Sequence, residues 1–283
     1  MLGYFLALLI GLSLGILGGG GSILTVPVLV YIMGFGPKLA IALSLAIVGG
    51  TSLLGVYGHY KNKNIDFKIA SLFAPFAMIG TFGGAKLSQF LTGQTQLILF
   101  AIIMLLASFS MLKKSKKDSQ SENQLKKINI PLVIIEGLIV GVITGIVGVG
   151  GGFLIVPALV LLTGLPMKKA IGTSLLIISL KSFSGFLGYI GFVEIPWTFL
   201  GQFLFFSGSG IFLGSYLIKF IPPAKLKKSF AVFLIIMGSF ILIKNREKVT
   251  STEILKKSET KISFQKKIKK EVFGGNHHHH SFD

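Results

Sequence analysis

Two glycine runs, Gly18-Gly19-Gly20-Gly21 and Gly148-Val149-Gly150-Gly151-Gly152, interrupt long apolar stretches of this chain. Glycine is a poor helix former, so each run is expected to end one helix and begin another. The first N–H groups of a helix have no intrahelical partner, and its dipole is positive at that end. Helix starts at Gly20, Gly21 and Ser22 and at Gly150, Gly151 and Gly152 would therefore offer backbone donors to an anion. The competing reading is that the glycines only let helices pack tightly. Lys181 is the one basic residue in the middle of an apolar stretch. A lone ammonium in hydrocarbon costs several kcal/mol, so such a residue usually faces a cavity or a partner. Ser22, Ser44, Ser52, Thr173, Ser174 and Ser182 could add hydroxyl donors. Each alone more commonly bonds back to its own helix.

Searches for catalysis return little. No stretch matches a phosphate-binding GxxxxGK[ST] loop, a GxGxxG fingerprint, HExxH or a GxSxG elbow. Gly208-Ser209-Gly210 lacks a histidine deep in any span to serve as base, since His59 reads as a loop residue and His277–His280 lie in the tail. That tail tract is a native metal-binding run or an added tag, and it does not concern the apolar body. With no cysteine, disulfides, iron–sulfur clusters and thiol catalysis are excluded. No catalytic residue, no metal site and no cofactor is expected. Glu136 reads as interfacial, His59 and Asp66 as solvated beside a basic loop, and Trp197 as a lipid-belt residue.

The elements that must position these residues follow from composition. The chain has 283 residues, 52% hydrophobic and only 13% charged, with a mean hydropathy of +0.78. Soluble domains carry about 25% charge. The net charge of +18 invites a nucleic-acid reading, but its distribution does not. Of 28 basic residues, six lie in Lys113–Lys127 and ten from Lys244 onward, while Asp66, Glu136 and Glu194 are the only acids outside those segments. A nearly uncharged body with basic appendages is an integral membrane protein whose appendages face lipid headgroups. Nucleic acid is excluded as a partner.

The chain also repeats. An offset of 130 carries Gly11, Gly15, Gly18, Gly20, Gly21, Pro27 and Ser44 onto Gly141, Gly145, Gly148, Gly150, Gly151, Pro157 and Ser174 without a gap, and Gly80 and Gly84 onto Gly210 and Gly214. This predicts an all-α polytopic protein with a first repeat over 1–112, a basic linker over 113–130, a second repeat over 131–244 and a flexible basic tail over 245–283. Each repeat opens on about one and a half spans, at roughly 20 residues per crossing, and continues with three single spans. The opening stretch is predicted to be a helix, a glycine break and a short helix carrying Pro27 or Pro157. The pairs Gly11/Gly15, Gly141/Gly145, Gly80/Gly84 and Gly210/Gly214 read as GxxxG packing surfaces. Met1–Leu17 lacks a basic start and recurs in the second repeat, so it reads as a span and not a signal.

Loop charges conflict over orientation. Lys61, Lys63 and Lys68 make the second-to-third connection basic in the first repeat, whereas Lys225, Lys227 and Lys228 make the third-to-fourth connection basic in the second. Opposite bias favours inverted repeats with both halves of each broken segment crossing. A plain four-plus-four arrangement instead puts linker and tail on one side. The count is eight to ten crossings.

At this point "GILGGGGSILTVPVLVYIMG" and "GIVGVGGGFLIVPALVLLTG" resemble the duplicated glycine–proline motif of the sulfite exporter TauE/SafE family. The likeness continues through "AIGTSLLIISLKSFSGFLGYIGFVEIPW" and covers nearly everything except linker and tail. The resemblance implies a two-repeat permease of a bacterial-type inner membrane, associated with sulfite, sulfoacetate and related sulfonates. Its motif falls on Gly18, Gly20, Gly21, Pro27, Gly148, Gly150, Gly151, Gly152 and Pro157, and its GTS element on Gly172, Thr173 and Ser174. The first repeat departs from that element, reading Ala42-Leu43-Ser44.

The expected activity is secondary transport of a small sulfur-containing anion, in which the repeats rock about the two glycine breaks with Lys181 as counter-charge. A passive anion channel lined by the same breaks is the alternative, and a scaffold holding lipid with its basic tail is a third. The expected partners are the anionic solute and the bilayer. The residues do not decide whether the chain forms a homo-oligomer.

Overall fold

In the computed structural model, residues 2–112, 130–148, 152–222, 225, 228, 229 and 231–244 are described. The predicted linker, the predicted tail, Gly150 and Gly151 therefore lie outside the described residues, apart from Ile130. The chain divides into a unit over Met1–Ile241, described below, and a second unit over Leu242–Asp283.

The stretch predicted as the first repeat contains α1 (Leu2–Leu17), α2 (Gly20–Pro27), α3 (Pro37–Lys61), α4 (Phe67–Leu87) and α5 (Gly93–Leu112). The stretch predicted as the second contains α6 (Ile130–Val147), α7 (Gly152–Leu162), α8 (Met167–Tyr189), α9 (Trp197–Leu217) and α10 (Ala231–Lys244). Among the described residues no strand forms beyond an isolated bridge between Ile190 and Val193. Five of the helices are long and apolar enough to cross a membrane, and α1, α2, α5 and α10 contribute shorter apolar runs. The protein is an all-α multi-pass membrane protein.

The opening stretches break where the glycines stand. Gly18 (φ +64°) and Gly148 (φ +66°) adopt the left-handed conformation that ends a helix and that a side chain resists. After Gly18 the chain doubles back, so that Gly21 packs against Ile10 and Leu14 of α1. The opening segment is thus a hairpin of two short helices rather than one long rod. At 16 residues α1 spans about 24 Å, short of the roughly 30 Å hydrocarbon core. Pro27 cannot donate to the ladder, and from Val28 the helix widens into a π turn through Ile32.

Close glycine contacts set the helix pairing. Gly11 and Gly15 let α1 lie on the backbone of α9 around Ser207 and Gly214, with the two helices parallel. Gly80, Gly84, Gly141 and Gly145 join α4 to α6 in the same parallel manner. Both pairs are GxxxG contacts, as the spacing predicts. At the centre α3 and α8 run antiparallel, with Leu45 against Gly185, Gly49 against Ser182 and Gly55 against Leu175.

The structure corrects the placement of one residue. His59 is not in a solvated loop; it occupies the last turn of α3 and is fully buried. Its charged neighbours in sequence, Lys61 and Lys63, are not buried, and the turn that carries them folds back over the start of α8.

Candidate functional site

The α1–α2 hairpin and the end of α6 point at each other from opposite ends of the helix bundle. Gly18, at the tip of α1, rests on Ile171 and Ser174 in the first two turns of α8, and Gly148, at the tip of α6, rests on Ile41 in the second turn of α3. The tips meet at Gly19 and Gly152, whose backbones touch so closely that neither position has room for a β-carbon. Contact leaves no space for a solute there, so the structure is closed at its midpoint. The start of α2 has Gly19 as its cap and no side chain accepting from its first amides. One of the two predicted helix starts therefore presents backbone donors beside the tip contact. Its counterpart is described from Gly152 onward.

Among the predicted hydroxyls Ser44 bridges this junction, while Ser22 and Ser174 bond carbonyls of their own segments beside it. Ser44 Oγ donates to the Gly148 carbonyl at 2.6 Å and lies 3.0 Å from the Ile41 carbonyl. Ser22 Oγ donates to the Gly19 carbonyl at 2.6 Å. Ser174, the counterpart of Ser44, donates to the Ile171 carbonyl at 2.8 Å with its hydroxyl against Gly18. Thr173 Oγ1 accepts from the Asp66 amide at 2.9 Å, which ties the α3–α4 turn to α8. Ser52 and Ser182 are buried without a hydrogen-bond partner, as is Ser179, which sequence reasoning did not single out. They are the hydroxyls of this region with donors to spare.

Lys181 is completely buried in α8. Its Nζ donates to Thr144 Oγ1 at 2.8 Å, one turn before the tip glycine of α6. Its neighbour one turn back, Ile178, covers Gly152 at the start of α7. The cation thus stands within about one helical turn of the tip contact, hydrogen-bonded to a neutral hydroxyl. Thr51, its counterpart in the first repeat, pairs with Ser207 at 2.7 Å instead. The charge is one-sided, as the sequence implies. Pro27 and Pro157 lie within the short second helices and touch none of these polar groups by hydrogen bond.

An open cavity of about 790 Å³ lies at one end of the bundle, lined by Lys38, Gln89, Thr92, Gln94 and Phe192 among others. It begins one turn from Ile41, on which the α6 tip rests. Among the described residues no cluster of three or more metal-ligating side chains is present.

Known proteins point the same way. Residues 4–241 match the family described as "Sulfite exporter TauE/SafE". A "Probable membrane transporter protein" of Xylella fastidiosa (strain 9a5c) is 30% identical over 238 residues, covering 83% of this chain and 91% of that protein. "Probable membrane transporter protein YdhB" of Bacillus subtilis is likewise 30% identical, over 83% of this chain and 96% of its own. "Probable membrane transporter protein YfcA" of Escherichia coli is 26% identical over 76% of this chain and 79% of its own. No solved structure matches. A chain of broken helices and glycine-packed spans, matched over nearly all its apolar body, belongs to the sulfite exporter TauE/SafE family of membrane transporters.

Proposed function

We propose that this protein is a secondary transporter of small anions, sulfite or organosulfur anions foremost, working by alternating access at the junction of the two hairpin tips. The observation that carries the reading is the Gly19–Gly152 contact, with a bare helix start on one side and buried Lys181 about one turn away. Separating the tips would expose backbone amides and one ammonium to the same space. Both recognise a compact oxyanion without selecting a particular carbon skeleton. Sulfite or a sulfonate satisfies that chemistry. The family match supports the same class of solute.

The helix directions support repeats of opposite topology, related by an axis in the membrane plane. A hairpin that returns to its own side, followed by three crossings, gives an odd count and inverts the second repeat. On this reading 1–112 and 131–244 are the two repeats, joined by the basic linker. The closed midpoint favours a carrier over a passive channel, which would need a continuous path past Gly19 and Gly152. The predicted nucleotide-binding motifs are absent from the sequence, so an ion gradient or the membrane potential would drive the cycle.

The test is uptake into proteoliposomes of sulfite, sulfate, thiosulfate, a sulfonate and a carboxylate. Saturable, counterflow-stimulated flux of at least one sulfur oxyanion is expected, and its absence across the panel overturns the reading. Lys181→Ala removes one charge-assisted hydrogen bond worth about 1.5–3 kcal/mol, so flux should fall by about tenfold or more. Unchanged flux from a normally expressed variant would remove Lys181 from the site.

A further inference from the structure

The repeat offset that places Gly15 on Gly145 also places His59 on Tyr189. Each sits in the last turn of a central helix, against the hairpin tip that approaches its end of the bundle. Tyr189 is fully provided for. Its hydroxyl donates to the Gly145 carbonyl at 3.2 Å and accepts from Gln96 Nε2 at 3.2 Å, while Gln96 also donates to the Ile146 carbonyl at 2.6 Å. His59 holds the matching position beside α1, facing the Gly15 carbonyl. Apart from that carbonyl, the ring nitrogens have no hydrogen-bond partner among the described residues, and the residue is 0% exposed.

The surroundings of His59 make this more than an unfilled bond. Its β-carbon lies beside Gly172 at the start of α8, under the Asn64 carbonyl of the α3–α4 turn. Ser215 of α9, packed on the adjacent Gly58, has a buried hydroxyl that is also without a partner. A buried polar group left unpaired is costly, because its lost hydration is not replaced. An apolar residue would close this end at no such cost, whereas Tyr189 closes the other end with its polar atom satisfied. Ionisable groups inside a span generally belong to a transport or proton pathway. The end closed by His59 is the one where water, once admitted, would satisfy the remaining ring nitrogen and the Ser215 hydroxyl.

We propose that His59 is a proton-binding site at the mouth formed by the α3–α4 turn and the tip of α1, where a protonated imidazole pairs with the anion entering from that side. The proposal rests on the anion-transport reading above. Opening that end hydrates the ring; an imidazolium there lends one positive charge to the approaching oxyanion, and closing again requires the proton to leave or the anion to accompany it. The other charged or titratable groups around the mouth are Lys61, Lys63, Asp66 and Lys68 of the turn and Lys168 and Lys169 at the start of α8. Tyr60 of α3 and Tyr216 of α9 are also at this end, whereas the one titratable residue of α1, Tyr4, lies at the opposite end, where it donates to Gln202. Histidine alone among these ordinarily titrates between pH 5 and 8.

The experiment is sulfur-oxyanion flux in proteoliposomes of known orientation, with pH changed on one side at a time from about 7.5 to about 5.5, the range in which an imidazole ordinarily titrates. In the wild type, acidifying the side of the α3–α4 turn should accelerate entry from that side about fivefold, and acidifying the other side should not. Whatever counterflow His59→Gln supports should lack the one-sided response. An equal response from both sides, or a response that survives in His59→Gln, overturns this assignment while leaving the transport reading intact. A wild type that moves no anion of the panel overturns that reading, and the assignment falls with it.

Discussion

A methyl group is already too large at Gly19. A β-carbon there would overlap the Gly152 backbone, which cannot rotate aside as a flexible side chain would. Gly19→Ala is therefore expected to destabilise the closed state by about 1–3 kcal/mol, the usual cost of overpacking. Gly83, inside α4 with nothing within 4 Å of its would-be β-carbon, should tolerate the same change. Thermal unfolding of the detergent-solubilised variants checks this; equal melting temperatures would mean that the tips are not held by this contact. The glycine breaks were legible because glycine runs in apolar stretches have few other uses. The hydroxyls were only half legible. Ser22, Ser44 and Ser174 look alike in sequence to Ser52 and Ser182, yet the first three bond to carbonyls at or near the tips and the last two bond to nothing. His59 was misread because its lysine neighbours suggested water, whereas the turn carrying them folds back over α8.

At the scale of the elements, the decisive feature is the direction of each helix. The sequence displayed a break in each opening stretch but could not say whether the second half continues onward or turns back. That depends on where Gly21 lands, and it lands on Ile10 and Leu14. Counting the hairpin as a return resolves most of the conflict among the loop charges. With α3 and α8 antiparallel, the turn bearing Lys61 and Lys63 shares one side with the start of α8 and its Lys168 and Lys169, and under the inverted arrangement the linker and the α9–α10 connection would join them. The short connections on the other side carry Glu194 and little positive charge. Short basic loops are retained in the cytoplasm. Reporter fusions should thus report the linker near residue 120 as cytoplasmic and both termini as external. A linker and a C-terminus on one side would refute the inverted arrangement, and the ten basic residues from Lys244 onward make the C-terminal fusion the most demanding of the three.

For the whole molecule, the glycine zippers decide which parts can move as bodies. The sequence suggests two repeats rocking against each other, but α1 of the first repeat is bound to α9 of the second, and α6 of the second to α4 of the first. Rocking the repeats as such would tear both backbone contacts. A division that spares them places α1, α2, α3 and α9 in one body and α4, α6, α7 and α8 in the other. These bodies touch along α3 and α8, at Gly19 and Gly152, where Gly18 rests on α8, and where Gly148 rests on Ile41 and accepts from Ser44, so movement there would open the tips while leaving each zipper closed. The chain contains no cysteine, which gives a clean background for cross-linking. A β-carbon at Gly49 would stand 3.3 Å from that of Ser182, and one at Gly137 would stand 3.6 Å from that of Phe76. Both pairs are near the roughly 3.5–4.5 Å that a disulfide spans. Oxidising Gly49→Cys with Ser182→Cys joins the two bodies and should stop flux until a reductant is added. Oxidising Gly137→Cys with Phe76→Cys ties α6 to α4 within one body and should leave flux running. Both bonds also link the two sequence repeats, so if both stop transport, the moving parts are the repeats after all, and the zippers must open in each cycle.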